Sequence, residues 1–426
     1  FFWSNLNGFF FSYFSMPPTT TYPPIAEKRL YGYYFYSFLT RLTLKHIKYY
    51  IMLSTKFTLR SHKSSVAYIY QDPRTPFNLF TADSSGLIIN WDLTIRRPKK
   101  SWQAHTDTIL TISTIHNHLL THSRDNTIKI WDESYSCILE IPCNALNFSN
   151  ICIIYDLLIT PASINSNNLD VYKIDKDWQI TRLISDFDVY KLVNKGEIIE
   201  EIGSSGTSRN DFGIIMQMKI ITTNTTTGEN DSDYIIYVGF ESSDIVGLQL
   251  VLPRARMLST TGNTNDKTLI NQSAKFILQY HNSTHVPNPV ICLLSLDSVL
   301  VSGSTTNKVI IHSDPIEIMK MDHSGIQAIV NFKNDRLIFG YWNGYIQYGD
   351  ISINQSLPKL GNTEQEKSKL TKKLTFMTIL NESNQETLQS PTGKSKYLAL
   401  LKSKRNLVFP LLLAGYEDGS ILAYNI

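Results

Sequence analysis

The chain has 426 residues, of which 42% are hydrophobic and 18% are charged, and its formal net charge is +3. These values are typical of a globular protein, and so small a net charge argues against a dedicated nucleic-acid binder, which usually presents a strongly basic face. The four cysteines form no C-x-x-C pair, so the sequence predicts neither a disulfide scaffold nor a structural zinc site and favours the cytosol or the nucleus.

Residues 1–51 are crowded with Phe and Tyr and show no steady period. A membrane span needs roughly 18 uninterrupted apolar residues, but Pro17 interrupts the first apolar run and Arg41 the second. We interpret the segment as a non-propeller extension that read-through of upstream nucleotides would explain. The expected start is then Met52, with Met16 as the alternative.

From Met52 onward the chain repeats a short β pattern. Trp91 and Trp131 each precede an Asp and lie 40 residues apart, which is the period of a four-stranded propeller blade. Later copies have the same order of predicted elements: a strand, a tight polar turn and a second strand. The repeat units are 56–95, 100–135, 137–178, 180–251, 273–315, 317–352 and 370–426.

Seven such units predict an all-β fold, a seven-bladed β-propeller formed by one domain over residues 52–426. No blade buries both faces alone, so a closed ring is the expected outcome. Three polar stretches, near 222–233, 255–270 and 355–405, are predicted to be loop insertions.

The two ends of this domain predict how the ring closes. The last copy finishes at its third strand, ILAYNI (421–426), and the segment KFTLRS (56–61) alternates like a strand. We expect KFTLRS to be the outer strand of the last blade, where it covers an otherwise open sheet edge.

The paired S/A-H and W-D sequences resemble WD40 repeats, and the copy from Ala104 to Asp132 has a full set. The resemblance implies a buried, hydrogen-bonded tetrad in this second blade. Its members are His105, Thr121, Asp125 and Trp131.

The tetrad that the resemblance implies in the first blade is partial. Its members are His62, Thr81 and Trp91, and Ser85 stands at the position of the Asp.

The sixth and seventh blades are more divergent. The sixth keeps His323, with Asn343 in the turn and Gly349 in the place of the Trp. The seventh keeps Asp418 and has Tyr424 in the place of the Trp.

More narrowly, residues 52–426 resemble the fungal ASTRA-associated protein 1 family. The matching features are TLRSH (58–62) shortly after a Met, an early W-D blade, divergent middle blades and AGYEDGS (414–420) before a short final strand. The resemblance implies a non-catalytic scaffold subunit of the nuclear ASTRA complex, linked to chromatin regulation and to stabilisation of phosphatidylinositol-3-kinase-related kinases. The implied partners are RuvB-like AAA+ ATPases and kinase-stabilising factors, without direct nucleic-acid or membrane binding.

Two other functions stay open: a generic WD40 adaptor, such as a substrate receptor of a ubiquitin ligase, and an enzyme on a propeller scaffold. The sequence offers no acid/base pair, nucleophile or metal set at a useful spacing, so we predict no catalytic residue, cofactor or metal. The propeller itself is expected to be monomeric.

Two features are candidates for contact and targeting. Trp342 lies in an aromatic turn with Tyr341 and Tyr345 and is the candidate partner contact. The basic cluster of the last blade is predicted to be a solvated insertion, and the alternative is a nuclear-import signal, for which KSKR (402–405) is the candidate, or a contact with an acidic partner. The expected location is the nucleus, with the cytoplasm as the alternative.

Overall fold

The computed structural model of the protein describes residues 55–75, 77–144, 146–194, 211–223, 233–252, 274–296, 299–333, 336–350, 355–360, 372–381 and 409–426. The predicted extension (1–51), the KSKR sequence and nearly all of the predicted insertions at 222–233 and 255–270 lie outside these ranges. Within them, no helix has the length and apolar character that crossing a membrane requires.

The described residues form 28 strands and one short helix, α1 (Val189–Val193). The strands are β1 (Thr55–Arg60), β2 (Val66–Gln71), β3 (Asn78–Asp83), β4 (Leu87–Asp92), β5 (Arg97–Gln103), β6 (Ile109–Ile115), β7 (His118–Ser123), β8 (Thr127–Trp131), β9 (Cys137–Pro142), β10 (Cys152–Ile154), β11 (Leu157–Pro161), β12 (Leu169–Ile174), β13 (Ile180–Phe187), β14 (Ile215–Thr223), β15 (Asp233–Phe240), β16 (Ile245–Val251), β17 (Lys275–Asn282), β18 (Val290–Leu296), β19 (Val299–Ser304), β20 (Lys308–His312), β21 (Glu317–Lys320), β22 (Ile326–Lys333), β23 (Arg336–Tyr341), β24 (Ile346–Asp350), β25 (Gln355–Leu360), β26 (Leu374–Leu380), β27 (Leu411–Tyr416) and β28 (Ser420–Asn425).

These strands form seven antiparallel sheets of four, which confirms the seven-bladed propeller. Blades one to six are β2–β5, β6–β9, β10–β13, β14–β17, β18–β21 and β22–β25, each a meander in chain order. Blade seven has the order β1-β28-β27-β26. The hydrophobic core lies between neighbouring sheets, because each blade buries both faces against the next.

The outer strand of blade seven is β1, which confirms the predicted closure by an N-terminal strand. It runs antiparallel to β28, with Leu59 opposite Ile421. Phe57 and Leu59 are buried in a cluster that joins blades seven and one. Burial of two such side chains stabilises the closed ring by roughly 1.5–3 kcal/mol each.

The sheets are offset by one strand from the repeat units read in the sequence. Strand β13 completes blade three although it opens the unit 180–251, and β17 completes blade four although it opens the unit 273–315. Outer strands are largely exposed, as the alternately exposed β17 shows, so they lack the apolar signature that marks the inner strands.

The predicted loop insertion at 355–405 is not one continuous loop. Strand β25 pairs with β24 in blade six, and β26 is the inner strand of blade seven. The sequence QSLPKL of β25 is mostly polar and has no apolar alternation that would mark it as a strand.

Neighbouring blades approach closely at one recurring position of the second strand. A Cβ placed on Gly239 would lie 2.6 Å from Cγ1 of Val290 in the next blade, and one on Gly415 would lie 2.7 Å from Cγ1 of Val66. The same position holds Gly303 in blade five and Gly340 in blade six, again against the next blade. Glycine is therefore required here by space, not by backbone conformation.

Candidate functional site

Blade two brings its four predicted residues together in one buried chain of hydrogen bonds. The Trp131 indole Nε1–H donates to Oγ1 of Thr121 at 2.8 Å, and Thr121 Oγ1 lies 2.7 Å from Nε2 of His105. His105 Nδ1 lies 3.0 Å from Oδ2 of Asp125. Because an indole can only donate, the threonine proton points to Nε2 and the imidazole proton on Nδ1 points to the carboxylate.

The protonation of this chain follows from burial and from its donors. Burial holds the pKa of His105 below its ordinary value even though the Asp125 carboxylate opposes that effect. Burial also acts to raise the pKa of Asp125, but the Thr127 hydroxyl and the Thr106 N–H outweigh it and hold that pKa below its usual value. The tetrad is therefore a neutral imidazole on a charged carboxylate, with every polar group partnered.

Blade one also has a complete tetrad, because Asp83 supplies the carboxylate that the sequence analysis missed. His62 Nδ1 lies 2.8 Å from Oδ2 of Asp83, and Nε2 lies 2.7 Å from Oγ1 of Thr81. The Trp91 indole donates to the same Oγ1 at 2.8 Å. The prediction of a partial set in this blade, with Ser85 as an empty place, is therefore wrong.

Blades one and two have the same two residue types, Asp and Ser, in the turn after the threonine, but in swapped order. Blade one has Asp83 two residues after its threonine and Ser85 four after it; blade two has Ser123 and Asp125 at those places. Ser85 donates from its hydroxyl at 2.7 Å and from its N–H at 2.9 Å to Oδ1 of Asp83. A carboxylate at either position therefore reaches the imidazole, and the serine supports the turn.

Blade five has a tetrad-like chain that the sequence analysis did not find. Ser302 Oγ lies 2.7 Å from Nε2 of His285 and 2.7 Å from Nε2 of His312, and the Tyr280 hydroxyl lies 2.6 Å from Nδ1 of His312. His312 occupies the place of the Trp, ten residues after the hydroxyl residue as in blades one and two. That spacing of ten was the available signal.

A serine between two histidines has the composition of a nucleophile and its base, but Ser302 is fully buried. Burial lowers the pKa of His285 and that of His312 to about 4, so both rings are neutral near pH 7. One imidazole donates to the hydroxyl and the other accepts from it, which satisfies three buried groups. The arrangement stabilises the blade and offers no access to a substrate.

Blade six keeps the histidine but replaces the rest of the chain. His323 stacks on Tyr345 at 4.6 Å between ring centroids, and the Tyr341 ring, inclined at 69° to the imidazole, lies at 5.4 Å between centroids. The Tyr341 hydroxyl donates to Oε1 of Gln347 at 2.6 Å, and the Gln347 amide donates to Asp322 at 3.2 Å. The register of β23 and β24 puts the predicted Gly349 at the Trp position and Asn343 in the turn.

Blade seven uses an ion pair at the corresponding turn. The Asp418 carboxylate lies 2.5 Å from Nζ of Lys372, in the segment just before β26. It also accepts a hydrogen bond from the Ser420 N–H at 3.1 Å. Tyr424 is buried in the place of the Trp, with its hydroxyl 3.3 Å from that of Tyr416.

Blade three contains a buried polar cluster that no sequence pattern indicated. Asp170 is fully buried and accepts hydrogen bonds from Arg182 at 2.6 Å and from the Tyr172 hydroxyl at 2.9 Å. The backbone N–H groups of Ser163 and Asp186 donate to the same carboxylate. The cluster replaces the missing tetrad of this blade.

Trp342, the predicted partner contact, lies in the turn between β23 and β24 with 37% of its surface exposed. Its indole donates to Oε1 of Gln327 at 2.6 Å, and one ring face packs on Gly325. Lys373 Nζ lies 6.0 Å from the ring centroid. The indole is thus held in one orientation while part of it faces solvent.

The described residues line cavities in the ring and between blades. One of about 450 Å³ is lined by inner strands from around the ring, including Tyr68, Lys219 and Gln327, and is the central channel. Another, of about 360 Å³, lies between blades one and two beside Arg74 and Glu133. No group of three His, Cys, Asp or Glu in the described ranges could hold a metal ion.

One protein family matches this chain over nearly all of the described residues. The family model described as ASTRA-associated protein 1 matches residues 55–424. The chain is 97% identical over 377 residues to a Candida albicans (strain SC5314) protein named ASTRA-associated protein 1, which covers 88% of this chain and all of that protein. It is 40% identical over 407 residues to a Lodderomyces elongisporus protein of the same name, covering 87% of this chain and 97% of that protein.

Among solved structures, the chain is similar to a computationally designed protein, Ika8, with a TM-score of 0.51. The likeness covers 87% of this chain and 99% of the designed one at 12% identity, so it bears on the fold alone. The match of the family model and the sequence identity to its members indicate common ancestry. The chain therefore belongs to the ASTRA-associated protein 1 family.

Proposed function

We propose that this protein is a non-catalytic scaffold subunit of the nuclear ASTRA complex. The observation that carries the proposal is the match of the family model to residues 55–424, which spans all seven blades. Its relatives bear the name ASTRA-associated protein 1, a name that denotes association with an assembly.

The polar clusters of the described blades support a role in binding. The tetrads of blades one and two are buried, and so is Ser302 in blade five. These groups stabilise the blades and leave the loops at the two faces of the ring to contact partners. The expected partners are RuvB-like AAA+ ATPases and factors that stabilise phosphatidylinositol-3-kinase-related kinases, in an assembly linked to chromatin regulation.

Affinity purification of the tagged chain from nuclear extract, with mass spectrometry, tests the proposal. We expect RuvB-like ATPases and kinase-stabilising factors to co-purify in stoichiometric amounts. Their absence, with ubiquitin-ligase subunits in their place, would support a generic adaptor instead. Fluorescence microscopy of the same tagged chain should show a nuclear signal.

Trp342 is the proposed anchor of one such contact. Trp342→Ala should reduce partner recovery several-fold without unfolding the ring, because exposed aromatic side chains often dominate binding energy. Tyr155→Ala is the matched control, since Tyr155 is 80% exposed and lies in the turn between β10 and β11. Equal recovery with both variants would remove Trp342 from the interface.

A further inference from the structure

The junction between blades two and three differs from the glycine-mediated junctions described above. The position that is Gly239 in blade four and Gly415 in blade seven is His122 in blade two. The His122 ring is fully buried and its Nε2 lies 2.5 Å from the Asn147 side-chain amide. An imidazole in this place keeps the next blade at a distance, and the polar Asn147 fills the gap.

The connection that fills this gap, described at residues 143–144 and 146–151, is fixed by polar contacts on both sides. Asn147 is held by His122, and the Asn144 amide donates to the carbonyl oxygens of Ala162 and Ser163 at 3.2 and 3.3 Å. The Ile151 N–H donates to Oγ1 of Thr111 in blade two at 3.1 Å. The connection is therefore preorganised by its own hydrogen bonds.

This fixed connection presents apolar side chains to solvent. Leu146 is 65% exposed and Phe148 is 44% exposed, while Ile164, in the loop that Asn144 contacts, is 75% exposed. Scattered single apolar residues are normal on a surface, but grouped ones on two hydrogen-bonded loops indicate a binding surface.

A cation without an acidic partner lies at the same place. The Arg124 guanidinium carbon lies 4.3 Å from the Phe148 ring centroid. Its Nε is buried and has no hydrogen-bond partner, and no ion pair joins it to a carboxylate in the described residues. We name Arg124, Leu146, Phe148 and Ile164 the junction surface.

We propose that the junction surface binds an acidic, apolar segment of a partner protein. A carboxylate of that segment would pair with the Arg124 guanidinium, and aliphatic or aromatic side chains would cover Leu146, Phe148 and Ile164. Buried arginine and aromatic contacts of this kind carry most of the energy of protein interfaces. A nucleic acid fits less well, because phosphate binding needs several cations and little exposed apolar surface.

This inference rests on the proposed scaffold function and names a surface through which it acts. Fluorescence anisotropy of the purified full chain with a fluorescein-labelled 12-residue peptide of alternating Asp/Glu and Leu/Phe tests it. We expect micromolar binding that Arg124→Glu and Phe148→Ala each weaken at least tenfold. Tyr155→Ala, at an exposed site in the turn between β10 and β11, should change the affinity less than twofold.

Charge reversal and competing ligands make the test specific. A peptide with Lys in place of Asp/Glu should fail to bind the native chain and should bind the Arg124→Glu variant. Thermal melts of each variant establish that the ring is folded. Equal binding of the two peptides, no binding of the acidic one, or tighter binding of a labelled single-stranded RNA would overturn the inference.

Affinity purification distinguishes a failure of the junction-surface inference from a failure of the proposed scaffold function. If ASTRA subunits co-purify equally with the native chain and with the double variant of Arg124 and Phe148, the scaffold role stands and the junction surface is excluded. If the acidic peptide binds as expected but no ASTRA subunit co-purifies, the surface stands and the assembly is wrong.

Discussion

Removal of the Asp83 carboxylate is the sharpest test of the tetrad assignment in blade one. Asp83 is 1% exposed and accepts hydrogen bonds from His62, from the N–H and the hydroxyl of Ser85 and, at 3.2 Å, from the Leu87 N–H. Asp83→Ala leaves the buried His62 proton without an acceptor. A buried donor left without its acceptor costs about 1–3 kcal/mol, and the hydrogen bonds from Ser85 and Leu87 to the charged carboxylate are lost as well, so a total of about 3–5 kcal/mol is expected.

The expected change in melting temperature follows from the size of the ring. Unfolding entropy of about 2.1 cal/mol/K per residue over roughly 370 residues gives about 0.8 kcal/mol/K. A loss of about 3–5 kcal/mol should therefore lower Tm by roughly 4–6 °C in differential scanning calorimetry. Asp92→Ala is the matched control, because the Asp92 carboxylate accepts hydrogen bonds from the N–H and the hydroxyl of the nearby Thr94 and its loss should lower Tm by about 1 °C.

The exchange between blades one and two supplies a second, stricter variant. Asp83→Ser combined with Ser85→Asp gives blade one the arrangement of Ser123 and Asp125 in blade two. This double variant should recover at least half of the Tm lost in Asp83→Ala. The assignment is refuted if Asp83→Ala and Asp92→Ala melt alike, or if the exchange restores nothing.

Three further predictions concern closure, a turn and pH. Deletion of residues 1–60 removes β1 and should lower Tm by several degrees, whereas deletion of 1–51 should not; equal melting would contradict the role of β1. Gly86→Ala should be poorly folded by circular dichroism, because φ is +84° and the new Cβ would lie 2.1 Å from a backbone oxygen of the next blade. Burial lowers the pKa values of His285 and His312 to about 4, so below about pH 6.5 the unfolded chain binds more protons than the folded chain and Tm should fall as the pH drops towards 4. A His312→Gln variant should show a smaller fall, and a Tm that does not depend on pH would refute the assignment.

The sequence predicted the blades well because the repeat is local. Alternation, a polar turn and a residue with positive φ, such as Gly86 or Asn126, occur within about 15 residues of each other. The tetrads were less predictable, since Asp83 and Asp125 reach the same imidazole position from different places in the turn. His312 was missed because a histidine at the Trp position has no place in the W-D pattern, although its distance from Ser302 is the same.

The junction between blades two and three could not be predicted from the sequence. It depends on the contact between the His122 ring in blade two and the Asn147 side chain in the connection to blade three. In a single sequence His122 reads as one more strand residue. Only the contrast with glycines at the same register position shows that it spaces two blades.

The pairing of β1 with β28 also determines when the protein completes its fold during synthesis. Among the described strands, β1 leaves the ribosome before the others and waits for β28, since residues 55–60 pair with residues 420–425. Until then blade seven lacks two strands and an edge of the sheet stays open to other chains, which favours aggregation or chaperone binding. A premature stop before β28 would leave this edge open permanently, so loss of this single strand should be as damaging to accumulation in cells as the loss of a whole blade.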